Sequence, residues 1–215
     1  MPAYKLAIFD WDGTLMDSIA HIVDSMQQAA VSTAQPVPST PAVRHIIGLG
    51  LPEAIALLFP QANAVTREEI RQHYAQHFLA HSAARSELFA GAKPLLDQLT
   101  HQGYVLAIAT GKSRLGLTRV LNQTGLAHYF AITRCADETA SKPDPLMLND
   151  ILAFTNIAAD QAVMIGDTSY DMEMAQAIAM PRIGVTYGVH EAQVLQHYQP
   201  LAIVDSVYQL HDYLW

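Results

Sequence analysis

Apolar residues in this chain fall into short runs rich in β-branched side chains, separated by longer stretches with helical spacing. The runs Lys5–Phe9, Tyr104–Ala109, Phe130–Thr133, Ala162–Ile165, Arg182–Val185 and Ala202–Val204 read as strands. Strands alternating with helices predict an α/β fold, a Rossmann-like parallel sheet flanked by helices. Ligands on such sheets sit beyond the carboxyl ends of the strands. The tips therefore matter, and several are polar: Asp10-Trp11-Asp12, Thr110-Gly111-Lys112, Gly166-Asp167, and, a little beyond a strand, Ser141-Lys142-Pro143.

From about Asp17 to Ser86 the alternation stops and every pattern is helical. Val31–Pro41 is a proline-rich loop, at the end of which Thr40 is placed to cap a helix whose first helical residue is Pro41. Thr66–Glu69 matches a capping box and predicts a helix to roughly His81. Leu88–Leu99 then re-enters the sheet domain as a helix. The division this predicts is a catalytic core of residues 1–16 and 87–215, with a small all-helical cap of residues 17–86 inserted after the first strand.

Composition narrows the partners. A net charge of -8 with few lysines argues against nucleic acid, which is bound by clustered Lys and Arg. No apolar run approaches the roughly 20 residues of a membrane helix, and the N-terminus lacks a signal-peptide pattern. With Cys135 as the sole cysteine, no internal disulfide forms, so a cytoplasmic protein is expected, monomer or homodimer. Cys135 reads as a packed small residue, because no matched catalytic partners are visible.

Asp10 and Asp12 point roughly the same way if strand geometry persists to the tip, while Trp11 packs elsewhere. Gly13 lets the chain turn and a ligand approach. Paired carboxylates repel unless a cation compensates, and a hard divalent ion such as Mg2+ prefers oxygen ligands. If a helix begins near Thr168, Asp171 in its first turn lies near Asp167. Lys142 adds positive charge; Thr110 adds a hydroxyl and, with Gly111, N–H groups at a helix start that suit an anion. Carboxylates, a metal, one lysine and a hydroxyl make a phosphoryl-transfer site.

In order and spacing, "DWDGT", the Thr of "ATGKS", the Lys of "SKPDP" and "GDTSYD" resemble the four motifs of the haloacid dehalogenase-like hydrolases, and the helical insert resembles that family's cap. The resemblance covers essentially the whole chain and lies nearest the phosphoglycolate phosphatase-like members, whose flavour "DGTLMDS" and "IGLGLPEAI" share. It implies that Asp10 is a nucleophile forming an aspartyl-phosphate and that Asp12 is general acid and base. Thr110 and Lys142 then hold the phosphoryl group. Mg2+ is bound by Asp10, the backbone carbonyl of Asp12 and Asp167, with Asp171 acting through metal-bound water or by orienting Lys142. The implied substrate is a small phosphorylated metabolite, 2-phosphoglycolate first.

Asp12 argues against the true dehalogenases, and the absence of lysine between Lys5 and Lys93 against the phosphonate-cleaving branch. A phosphosugar mutase or sugar phosphatase of the β-phosphoglucomutase type stays open through His21, as does a non-catalytic binding or regulatory protein on the same fold. In the cap, Arg44–Ala54 is the expected specificity loop: Gly48 and Gly50 permit close approach, and Arg44 meets a substrate carboxylate or is solvated. The stripe His73, His77 and His81 reads as a solvated helix face, no acid or thiol completing a zinc set. Lys112 and Arg114 read equally as flanks of the second motif or as helix-surface charge.

Overall fold

The structure is a computed structural model that describes residues 4–85 and 87–214; the side chains of 81–85, and hence the imidazole of His81, lie outside the description, as does Ser86 at the expected cap boundary. The six expected strands form one parallel sheet. They are β1 (Leu6–Phe9), β4 (Val105–Thr110), β5 (Ile132–Cys135), β6 (Ala162–Gly166), β7 (Arg182–Val185) and β8 (Ala202–Val204), in the order β5-β4-β1-β6-β7-β8. β1 is flanked on both sides, pairing Leu6 with Val105 and with Ala162. Its residues alternate between two cores. Ala7 and Phe9 join Leu96, Leu99 and Leu117 on one face, and Leu6 and Ile8 join Met147, Ile151 and Met174 on the other. Helices α5 (Ala92–His101) and α6 (Arg114–Thr124) thus cover the first face, and α7 (Leu146–Thr155) and α8 (Ser169–Ala177) the second. Burial on both faces is why the strands read as unbroken apolar runs.

The chain leaves the sheet through β2 (Met16–Asp17) and returns through β3 (Glu87–Leu88), which pair antiparallel. Between them lie α1 (Ile19–Ser32), α2 (Thr40–Ile46), α3 (Leu51–Leu58) and α4 (Ala64–Arg85), packed around Met26, Val43, Ile55 and Ile70. This bundle has its own core and sits over the carboxyl ends of β1 and β4, where it shares a cavity with Asp10 and Thr110. Among the described residues no helix is long and apolar enough to cross a membrane.

Several expected boundaries move. Ser39, not Thr40, caps α2: its hydroxyl accepts from the Ala42 N–H, and Pro41 takes the second helical position, where a missing N–H is harmless. α4 begins at Ala64 instead of after Thr66, because the Asn63 side chain accepts from the Thr66 N–H at 2.9 Å. Leu88 belongs to β3, and α5 waits for Gly91, whose φ of 91° turns the chain. α6 starts at Arg114 under a Ser113 cap, so Gly111 lies in the loop before the helix and not at its first turn.

Candidate active site

The site begins where β1 ends. Asp10 still donates its N–H to the Ile165 carbonyl at 2.9 Å, and then the chain folds back. The Trp11 carbonyl accepts from Leu15 and Met16 at 3.0 and 2.9 Å, while Trp11 itself is buried in the core. Gly13 has φ 85°, and a Cβ there would lie 2.1 Å from Asp167 Oδ2. Glycine therefore permits both the turn and its closure onto a carboxylate from β6.

Asp10, Asp167 and Asp171 converge: one carboxylate oxygen from each lies within 4.8 Å of the others, and all three residues are buried. Asp167 is clamped by the Thr14 hydroxyl at 2.9 Å and the Val189 N–H at 2.8 Å. Asp171 completes a capping box at the start of α8, accepting from the N–H and hydroxyl of Thr168. Lys142 Nζ stands 2.6 Å from Asp171 Oδ1 and 2.8 Å from Asp10 Oδ1, its side chain fully buried.

One ammonium faces three buried carboxylates, and the charges register it. Burial, opposed by Lys142 and assisted by Asp171, pushes the Asp10 carboxyl up to about 7. Burial, with Asp10 and Asp171 beside it, raises Asp167 well above the usual carboxylate range. Burial alone would lower Lys142, but Asp10 and Asp171 outweigh it and hold the ammonium charged. Both Asp10 oxygens are buried and meet no well-aligned hydrogen-bond donor. Three buried carboxylates in surplus over one ammonium are what a divalent cation of the Mg2+ type fits.

Asp12 faces differently. Its carboxylate accepts from the Ser18 hydroxyl at 2.5 Å and is straddled by Lys112 Nζ, 2.9 Å from each oxygen. It is not one of the three carboxylates that converge. The Lys112 ammonium also lies 4.9 Å from the centre of the Phe78 ring in α4. Thr110 is buried at the end of β4, and its hydroxyl accepts from the Lys112 N–H at 3.2 Å. Asp10, Asp12, Thr110, Gly111 and Gly48 all line one cavity of about 460 Å³ between sheet and bundle.

The bundle is shut down on this cavity. A Cβ on Gly111 would lie 2.5 Å from the carbonyl oxygens of both Gly48 and Leu49. The Gly50 N–H donates to the Ser141 hydroxyl at 2.8 Å, and the Tyr170 hydroxyl donates to the His45 carbonyl at 2.9 Å. Arg44 corrects the expectation of a substrate contact: its guanidinium donates to the Gly188 and Val189 carbonyls at 3.0 and 3.1 Å and does not line the cavity. Burying those carbonyls under the bundle creates a demand for donors that Arg44 meets.

His21 is buried in α1 and stacked on Phe78 with ring centroids 4.0 Å apart. His77 Nδ1 lies 3.3 Å from the Ser25 hydroxyl, and neither His73 nor His77 joins an acidic or thiol cluster among the described residues. Burial pushes the Cys135 thiol up to about 12, which leaves it inert. Sequence reasoning left Lys112 undecided and passed over Ser18 and Thr14. All three stand inside the quoted motifs "ATGKS" and "DGTLMDS", which was the available signal.

With this geometry in place, likeness to known proteins becomes specific. The chain belongs to the haloacid dehalogenase-like hydrolase family, whose model matches residues 7–185. It is 31% identical over 215 residues to a phosphoglycolate phosphatase of Vibrio cholerae serotype O1, covering 96% of this chain and 95% of that protein. It is 36% identical over 209 residues to the "Probable phosphatase IndB" of Dickeya dadantii, covering 94% and 89% respectively. The solved structure of a haloacid dehalogenase-like hydrolase from Bacteroides fragilis superposes with a TM-score of 0.89 at 27% identity, covering 96% of this chain and 99% of that one. The fold is thus that of the family, and the Vibrio cholerae and Dickeya dadantii relatives carry phosphatase names.

Proposed function

We propose that the protein is a Mg2+-dependent phosphatase of small phosphate monoesters that works through an aspartyl-phosphate on Asp10. The observation that carries this reading is the Asp10 carboxylate: both oxygens are buried without an aligned donor, Lys142 stands 2.8 Å away, and the group opens on a cavity it shares with Asp12. An Asp10 oxygen attacks phosphorus while the ester P–O bond breaks. Asp12, fixed by Ser18 and Lys112, gives its proton to the departing alcohol oxygen, then takes one from the water that cleaves the acyl phosphate. Lys142 and the Thr110 hydroxyl stabilise the negative charge of the phosphoryl oxygens. Asp10, Asp167, Asp171 and the Asp12 carbonyl would hold the Mg2+, which supplies charge neutralisation between carboxylates and phosphoryl group. Shutting the bundle keeps bulk water out of that charged space.

The names of the relatives put 2-phosphoglycolate first among candidate substrates. The test of the phosphatase reading is inorganic phosphate release from p-nitrophenyl phosphate. Release that requires Mg2+, stops with chelator and disappears in Asp10→Asn supports it. Turnover that survives Asp10→Asn sinks it.

A further inference from the structure

The helical bundle lines the cavity with Ile22, Met26, Ile47, Leu51, Tyr74 and Phe78, a mostly apolar set in which Tyr74 alone carries a polar atom. Phe78 is held in place by the His21 ring stacked on it and by Lys112. Three cations line the cavity among the described residues, and two of them are paired with carboxylates. Lys112 is straddled by Asp12 at 2.9 Å, and Arg71 is engaged by both oxygens of Glu68 at 2.6 and 2.7 Å. Arg119, half-buried on α6 one turn after the exposed Leu115, is the third. Arg44, the expected carboxylate partner, is bound to backbone carbonyls elsewhere. Glu53 and Asp137 add negative charge to the lining.

A carboxylate one carbon from the ester oxygen would have to sit close above Asp10, among aliphatic side chains and acids. A neutral apolar group would find a wall shaped by six of them. The volume of about 460 Å³ also exceeds what a two-carbon acid fills and falls in the range of sites that enclose a ring-bearing ligand. We infer that this site, on the phosphatase reading given above, takes phosphomonoesters whose alcohol carries an uncharged, ring-sized apolar body in preference to short anionic ones.

The test compares benzyl phosphate, ethyl phosphate and 2-phosphoglycolate on the Mg2+-loaded enzyme, with p-nitrophenyl phosphate as a control for the chemistry. All three are esters of primary alcohols, so the need for a proton on the leaving group is common to them. Benzyl phosphate should exceed both others in kcat/KM by about tenfold or more, mainly through KM, which is the effect expected of burying a ring-sized apolar group. Binding of benzyl phosphate to Asp10→Asn with Mg2+, measured by calorimetry at several temperatures, should show a negative heat-capacity change that ethyl phosphate lacks. If p-nitrophenyl phosphate is turned over in an Asp10-dependent way but 2-phosphoglycolate equals or beats benzyl phosphate, the substrate inference falls and the phosphatase stands. Phosphate release from none of the four esters overturns both.

Discussion

Asp10→Asn should make the metal-free protein more stable while abolishing its chemistry. In an unfolded chain the Asp10 carboxyl ionises near 3.8; in the fold, burial pushes it up to about 7. The native state therefore holds a proton that the unfolded state has released, so this group's contribution to stability is fully present below pH 3.8 and is lost as pH rises through about 7. At about 1.4 kcal/mol per pH unit between the two values, the loss at pH 8 is about 4 kcal/mol. Asparagine keeps the shape and drops the charge. The attraction of Lys142 is already contained in that value, so the gain stays at about 4 kcal/mol. For a chain of this size that is about 8–16 °C in melting temperature. The advantage should shrink at pH 5 and vanish below pH 4. Asp167 is raised for the same reason and steepens the pH dependence of both proteins. Thermal melts with EDTA and with saturating Mg2+, at pH 5 and pH 8, measure this directly. Mg2+ should restore the native protein far more than the variant, since binding only the folded state stabilises it. An Asp10→Asn variant that melts at or below the native protein at pH 8 in EDTA would refute the surplus of buried negative charge.

Other perturbations separate the parts of the site. Asp12→Asn should cost about 10²–10⁴-fold in kcat with an alkyl phosphate and much less with p-nitrophenyl phosphate, whose leaving group needs no proton; equal losses on the two esters would remove the acid role. A Cβ at Gly188 would lie 2.3 Å from Asp167 Oδ2, so Gly188→Ala should shift the Mg2+ concentration for half-maximal activity upward by about tenfold or more. Gly111→Ala puts a methyl against the Gly48 and Leu49 carbonyls; it should raise KM and make the bundle more susceptible to limited proteolysis, and unchanged values in both would show that the contact is dispensable.

The sheet was legible because a strand buried on both faces has to be apolar throughout, and all six runs lie in it with their ends moved by a residue or two. Helix starts were less so. Ser39 and Thr40, or Asn63 and Thr66, are chemically similar caps, and which oxygen reaches a free N–H is settled by the path of the incoming chain. In the site, the carboxylates and Lys142 could be picked out because each closes an apolar run or lies just beyond one, where parallel sheets gather ligands. The partners of Arg44 and Lys112 could not. Gly188, Val189 and Asp12 are far away in sequence, and no local period encodes a contact between a bundle and a loop at the opposite end of the chain. Arg44 is also the residue whose charge most invited a functional reading, and its guanidinium meets backbone carbonyls instead.

The Gly188–Val189 loop is gripped from two sides. Its Val189 N–H holds Asp167, and its carbonyls hold Arg44 of the bundle. On the proposed reading, lifting the bundle to release an alcohol product would remove a strut from behind Asp167, one of the residues that would hold the metal. Departure of product and tenure of the ion would then be linked events, with the ion most exposed to exchange between turnovers and best retained while a substrate is enclosed.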